Sequence, residues 1–202
     1  GMATCICSII ETSDTSRAPE VLTRYGIVVH NVAKRMLIVH EPRLGHLGMP
    51  TYARALSRDL ACDVLSFAIQ TTASCEIIEH WSNGELLRRM EAADGPFGAI
   101  EGTQQTWEPG YFFYPGAEDD FDDEADLERF REAVAADAPS QVLDIIYAGS
   151  MNRLTALLQL KGLALDQPHG TLTPPKSKAK LWLWVFILVL AGAFIAGLLG
   201  GR

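Results

Sequence analysis

His40, Glu41 and His46 form the one local group of side chains in this sequence that could hold an ion or relay a proton. An imidazole, a carboxylate and a second imidazole, placed where a strand gives way to a loop, can converge on zinc or act as an acid–base set. The competing reading is structural, because histidines at strand ends more often lie at the surface or satisfy a hydrogen bond. His30, His80 and His169 stand alone. Glu79 adjoins His80, but successive residues of a strand point to opposite faces, so the two are not expected to meet. Cys5, Cys7, Cys62 and Cys75 include no CxxC pair and read as small apolar residues. There is no glycine-rich phosphate loop, no GxSxG elbow and no HExxH helix, so no cofactor is expected and an enzyme is the less favoured class.

The densest charge lies in residues 118–128, which carry eight carboxylates in eleven positions. A calcium loop fails in every register, because the glycine at its sixth position and the glutamate at its twelfth are missing. Two readings remain. Residues 123–126 can open a helix whose Leu127, Phe130 and Val134 face inward, with the acids complementing the helix dipole. Alternatively, Asp119, Asp120, Asp122 and Asp123 can form a docking surface for a basic protein. The preceding glycine- and aromatic-rich residues 92–115 read as a long loop. In it Trp107, Tyr111 and Phe112 either contact a partner or close the open face of a sheet.

The elements that would position these groups follow from periodicity. Residues 4–11 alternate as a strand, and Pro19 suits the first turn of a short helix ending near Tyr25. Residues 27–32 and 35–40 read as paired strands, and residues 51–61 as an amphipathic helix through Tyr52, Ala55, Leu56 and Leu60. Residues 63–70, 74–81 and 85–90 read as three strands, the last two joined by Asn83-Gly84, whose residue types supply the positive φ of a tight hairpin. The order β-α-β-β-α-β plus a hairpin predicts an α+β fold: a ferredoxin-like antiparallel sheet with both helices on one face. C-terminal helices are expected over residues 140–147 and about Leu154, Leu157 and Leu158, the second closed by Gly162. The stretch from Ala53 to Phe67 and the Trp81-Ser82-Asn83-Gly84-Glu85-Leu86-Leu87 turn resemble a group of uncharacterised small bacterial α+β proteins. That resemblance implies a fold and no activity.

Residues 181–201 contain no charged side chain, and at about 1.5 Å per residue they would span the roughly 30 Å of a bilayer core. Placed at the C-terminus and closed by Arg202, the run resembles tail-anchored membrane proteins. Lys176, Lys178 and Lys180 precede it, which predicts a cytoplasmic domain over residues 2–165, a flexible basic linker over 166–180 and a single transmembrane anchor. Gly192, Ala196 and Gly200 recur every four residues and could support self-association of the helix. The net charge of −8 hides an asymmetry, for the first 170 residues hold 13 Lys and Arg against 25 Asp and Glu. A domain near −12 is repelled by phosphate backbones, which argues against nucleic acid as a partner. The expected partners are the bilayer and a basic protein. The leading reading is a membrane-tethered interaction module, one version of which is an immunity-like protein that neutralises a basic toxin. The alternatives are an enzyme acting on a membrane-associated substrate and a bilayer-perturbing oligomer driven by the C-terminal helix.

Overall fold

The computed structural model describes residues 4–41 and 47–173. Eight strands form one sheet: β1 (Thr4–Glu11), β2 (Ile27–Val29), β3 (Arg35–His40), β4 (Asp63–Gln70), β5 (Cys75–Ser82), β6 (Glu85–Ala93), β7 (Ala99–Gly102) and β8 (Gly170–Leu172). Their order is β2-β8-β3-β1-β4-β5-β6-β7. Among the described residues five α-helices accompany them: α1 (Ala18–Arg24), α2 (Ala53–Asp59), α3 (Glu108–Phe112), α4 (Glu124–Ala135) and α5 (Met151–Leu160). The fold is α+β.

The helices divide between the two faces, and that division explains the central strands. Ile10, Met36, Ile38 and Val64 lie under α1 and α2, packed on Val21, Leu22 and Leu56. Cys7, Ile9, Leu37, Phe67 and Ile78 face the other way, onto Tyr111, Phe112, Phe130, Leu154 and Leu157 from α3, α4 and α5. β1 and β4 are therefore buried on both sides, which is why apolar residues occupy both parities in them. The hairpin between β5 and β6 turns at Asn83 and Gly84 with φ of 50° and 84°, as the residue types predict.

The sheet corrects the expected pairing. β1 lies antiparallel to both β3 and β4, and α1 and α2 share a face, as the β-α-β-β-α-β reading requires. But β2 and β3 do not pair. β8 enters between them, antiparallel to β2 and parallel to β3, so the sheet is mixed instead of wholly antiparallel. The cause is legible at Gly170: a Cβ there would stand 2.9 Å from the Val28 carbonyl oxygen and 2.9 Å from Ile38 Cδ1, so only glycine fits at this spacing. The segment expected as linker thus contributes three residues to the sheet, and residues beyond Thr173 lie outside the described part.

Other expectations change in the same way. The long loop contains β7, which extends the meander, and α3. Residues 140–147 form turns after a short 3-10 segment, Pro139–Gln141, instead of an α-helix. In α4 the inward stripe is Phe130 and Ala133, whereas Val134 is 43% exposed. No helix among the described residues is long and apolar enough to cross a membrane, and residues 181–201, with Gly192, Ala196 and Gly200, lie outside them.

Candidate functional site

The three rings named as docking candidates are interior. Trp107, Tyr111 and Phe112 are buried. Tyr111 stacks 5.2 Å from Phe67 on the sheet, and Phe112 meets Phe97 edge-on at 5.7 Å. They close the sheet face, as the structural reading of the aromatic segment holds. In their place the neighbouring Phe113 and Phe121 flank Phe130 of α4 at 5.4 and 4.8 Å, and seat residues 113–121 across that helix.

This seating produces the most distinctive surface of the described residues. Gly116, with φ of 92°, turns the chain into the short 3-10 segment Ala117–Asp120, which stands out as a ridge carrying Glu118, Asp119 and Asp120. On one side lies a cleft of about 290 Å³ lined by Phe112, Phe121, Ile145, Ile146 and Arg153, and also by Thr71 and Ser74 at the end of β4 and the start of β5. On the other side lies a second cleft, of about 370 Å³, between Phe113, Tyr114 and Val134. Both clefts share Ala117 and Phe130. The first is just below the lower end, about 300 Å³, of sites that engulf drug-sized ligands, which suits a single side chain better than a large cofactor.

The carboxylates of the ridge differ in what they do. Glu118 is bound by Arg131 at 2.8 Å, and Asp120 accepts from the Tyr114 hydroxyl at 2.8 Å. Asp123 caps α4, accepting from the amides of Ala125 at 2.9 Å and Asp126 at 3.1 Å. Asp119, Asp120, Asp122 and Asp123 are all exposed, and none has an ion-pair partner among the described residues. Asp123 is thus structural first. Asp123→Ala is expected to cost about 1 kcal/mol in denaturant unfolding, the usual value of a lost cap, with no change in the slope.

Beneath the first cleft sits a buried ionic cluster. Glu76 of β5 accepts hydrogen bonds from the Tyr111 hydroxyl, from the Gly149 amide at 2.9 Å and from Arg153 Nη2 at 3.1 Å. Arg153 Nη2 also donates to the Tyr147 carbonyl at 2.7 Å, and its guanidinium lies 5.8 Å from the Tyr111 ring centre. Burial opposes the arginine's charge, but the adjacent carboxylate outweighs it and raises the guanidinium above its ordinary range. Burial also pushes the Tyr111 phenol well up, and the Glu76 charge adds to it. The Nε of Arg153 has no partner among the described residues. A second buried pair, Arg88 and Glu108, ties β6 to α3: Nη2 donates to Glu108 Oε2 at 3.1 Å, while Nε lies 3.0 Å from Oε1 but is too poorly aligned to bond.

The histidines resolve individually. His40 is buried under α2, where its Nε2 lies 2.7 Å from the Tyr52 hydroxyl. That hydroxyl donates to Ser8 Oγ at 2.9 Å, and Ser8 meets Ser66 at 2.7 Å. Because the single phenolic proton goes to Ser8, Nε2 of His40 must carry the proton given to Tyr52. Burial lowers the imidazole to about 4. Glu41 is exposed and His46 lies outside the described residues; among the described residues no three His, Cys, Asp or Glu side chains are placed to hold a metal. His80 faces away from Glu79 and accepts at Nδ1 from Trp107 Nε1 at 3.2 Å, with Asp63 3.6 Å from its Nε2. All four cysteines are free, Cys7 and Cys62 buried.

Glu76, Arg153, Arg88 and Glu108 escape a motif search because they match no motif. Parity gives them away: Glu76 shares its strand face with Ile78, and Arg153 lies one helical turn before Leu157, so each is a charge on a core-facing position. No known protein family, no curated protein and no solved structure matches the chain.

Proposed function

We propose that the protein is a membrane-tethered interaction module whose domain docks a basic segment of another protein on Asp119 and Asp120 of the ridge and on Asp122 just beyond it. The observation that carries this reading is the pairing of exposed carboxylates, free of internal cations among the described residues, with a cleft on each side, the first of mixed lining and the second mainly apolar. Charge brings a basic segment to the ridge quickly, and an apolar side chain set into a cleft slows its departure. In this reading residues 181–201 are the transmembrane anchor, the three stem lysines mark a cytoplasmic domain, and β1 to β4 with α1 and α2 are a ferredoxin-like unit widened by β8.

The test is binding of the full chain, held in detergent, to a soluble peptide that alternates Lys or Arg with Leu or Phe. Exposed charge pairs contribute about 0.2–1 kcal/mol each, so Asp119→Asn, Asp120→Asn and Asp122→Asn together are expected to weaken binding about tenfold, and raised salt to weaken it further. Affinity unmoved by either change would refute docking on the ridge.

A further inference from the structure

Trp107, the residue before α3, lies against the sheet, where its ring stands edge-on to Phe67 at 6.1 Å and its Nε1 is 3.2 Å from His80 Nδ1. On the other side of the imidazole, Asp63 Oδ1 is 3.6 Å from Nε2. An indole N–H can only donate, so Nδ1 is the acceptor and the single ring hydrogen of neutral His80 stands on Nε2, toward Asp63. Both neighbours fix the same ring orientation, since a flipped imidazole would present carbon to each.

That tautomer makes the contact conditional on charge. A protonated imidazole carries a hydrogen on both nitrogens, so Nδ1 would face the indole donor to donor. The Nε2 side gains instead, as a cationic donor beside a carboxylate. The surroundings divide in the same way. Burial holds His80 below its ordinary value of 6.5, Asp63 of β4 and Glu11 of β1 pull it back up, and Lys161, which follows α5, opposes them. Arg88 of β6, opposite His80 in the ladder, is matched by Glu108 of α3 at 3.0 Å, and Arg35 of β3 by Glu11 at 3.3 Å. Glu79, the neighbour of His80 in β5, points to the other face and is held by Arg89.

Trp107 is 7% exposed and packs between Phe67 and Tyr111, so an indole N–H that lost its acceptor there would be stranded among rings. It must turn outward to reach water. Thr103, Gln104 and Thr106 before it are exposed, whereas Glu108 after it is fixed by Arg88, which confines the movement to Trp107 and the turn that precedes it.

We propose that His80 and Trp107 form an acid-released latch: the neutral imidazole accepts the indole N–H and holds Trp107 against Phe67, and a proton taken from solvent at Nδ1 breaks that bond, commits the ring to Asp63 and frees the indole to leave the sheet. What opens is apolar, the edges of Phe67 and Tyr111, both fully buried while the latch is closed.

The test is a magnetic-resonance pH titration of the full chain in detergent, with heavy nitrogen in its histidines and tryptophans. At neutral pH His80 is expected as the Nε2–H form, and the Trp107 indole resonance, identified by its loss in Trp107→Phe, as slow to exchange with water. As pH falls below 6.5 the two should change with one midpoint, and the indole should begin to exchange. Trp107→Phe removes the donor and keeps a ring, so His80 should titrate about 0.4–1 pH unit higher, the worth of one neutral hydrogen bond. Asp63→Asn should lower the midpoint by about half a pH unit or less, as suits a half-exposed partner. His80→Gln keeps an acceptor for the indole and does not titrate, so in it the Trp107 resonance should be flat across the same range. An Nδ1–H tautomer at neutral pH, an indole that ignores the titration of His80, or a midpoint unmoved in Trp107→Phe would overturn the latch. So would an unchanged pH response in His80→Gln, which would assign the release to another group. Should Trp107→Phe fail to fold, the comparison of parent with His80→Gln decides alone.

Discussion

Arg153→Ala is expected to lower the unfolding free energy by about 3–5 kcal/mol, the cost of stranding one member of a buried ion pair. The change leaves the Glu76 carboxylate, 0% exposed, with only the Tyr111 hydroxyl and the Gly149 amide as donors, and deprives the Tyr147 carbonyl of its partner. Domains of this size are stable by only about 5–15 kcal/mol, so the variant should unfold at markedly lower denaturant or fail to accumulate. Removing both charges tests the cause. Glu76→Gln retains acceptor and shape for Tyr111 and Gly149, and Arg153→Met fills the arginine's volume, so the double variant should lose less than the sum of the two single changes. Strict additivity in denaturant unfolding would show that the pair is not coupled and that Arg153 matters only for packing.

Acid should destabilise the domain through His40 well before carboxylates titrate in bulk. The imidazole is lowered from its ordinary value of 6.5 to about 4 by burial, so between those values the unfolded chain binds a proton that the folded chain refuses. The sign is then fixed. Stability from this group is complete above about pH 6.5, falls as pH drops toward 4, and is constant below. At 1.36 kcal/mol per unit, the loss is about 3 kcal/mol. Protonation would add a donor at Nδ1 inside a core whose Nε2 side is already committed to Tyr52, Ser8 and Ser66. The measurement is unfolding free energy against pH for the parent and for His40→Gln, which keeps a donor toward Tyr52 and has no titration. The difference between the two curves should slope between pH 6.5 and 4 and be flat elsewhere; a flat difference throughout would mean that His40 titrates normally.

Local signals carried most of the fold. β1, β3 and β4 follow alternation or apolar density within a single stretch of chain, and Asn83-Gly84 announces its own hairpin. What escaped is what depends on distant chain. Nothing near Gly170 marks a strand, since Pro168 and Gly170 are turn-forming types; the strand exists because β2 and β3 leave a slot of the right width about 140 residues away. β7 is fully exposed and so has no apolar pattern to detect. At the candidate site, the acidic positions 119, 120 and 122 were visible as charge density, but the clefts beside them were not, because Phe113, Phe121 and Phe130 meet only once α4 is docked. The buried charges at Glu76 and Arg153 were open to a parity argument, each being a polar residue on an inward position of its element.

The insertion of β8 has a consequence for synthesis. Chains emerge N-terminus first at about 5–20 residues per second, and about 130 residues separate His40 from Leu172. For roughly 7–26 seconds β3 therefore has an open hydrogen-bonding edge and β2 has no neighbour at all. Such an edge recruits strands from other nascent chains. Until its final strand arrives, the protein is most vulnerable to aggregation along the seam that the mature sheet later seals.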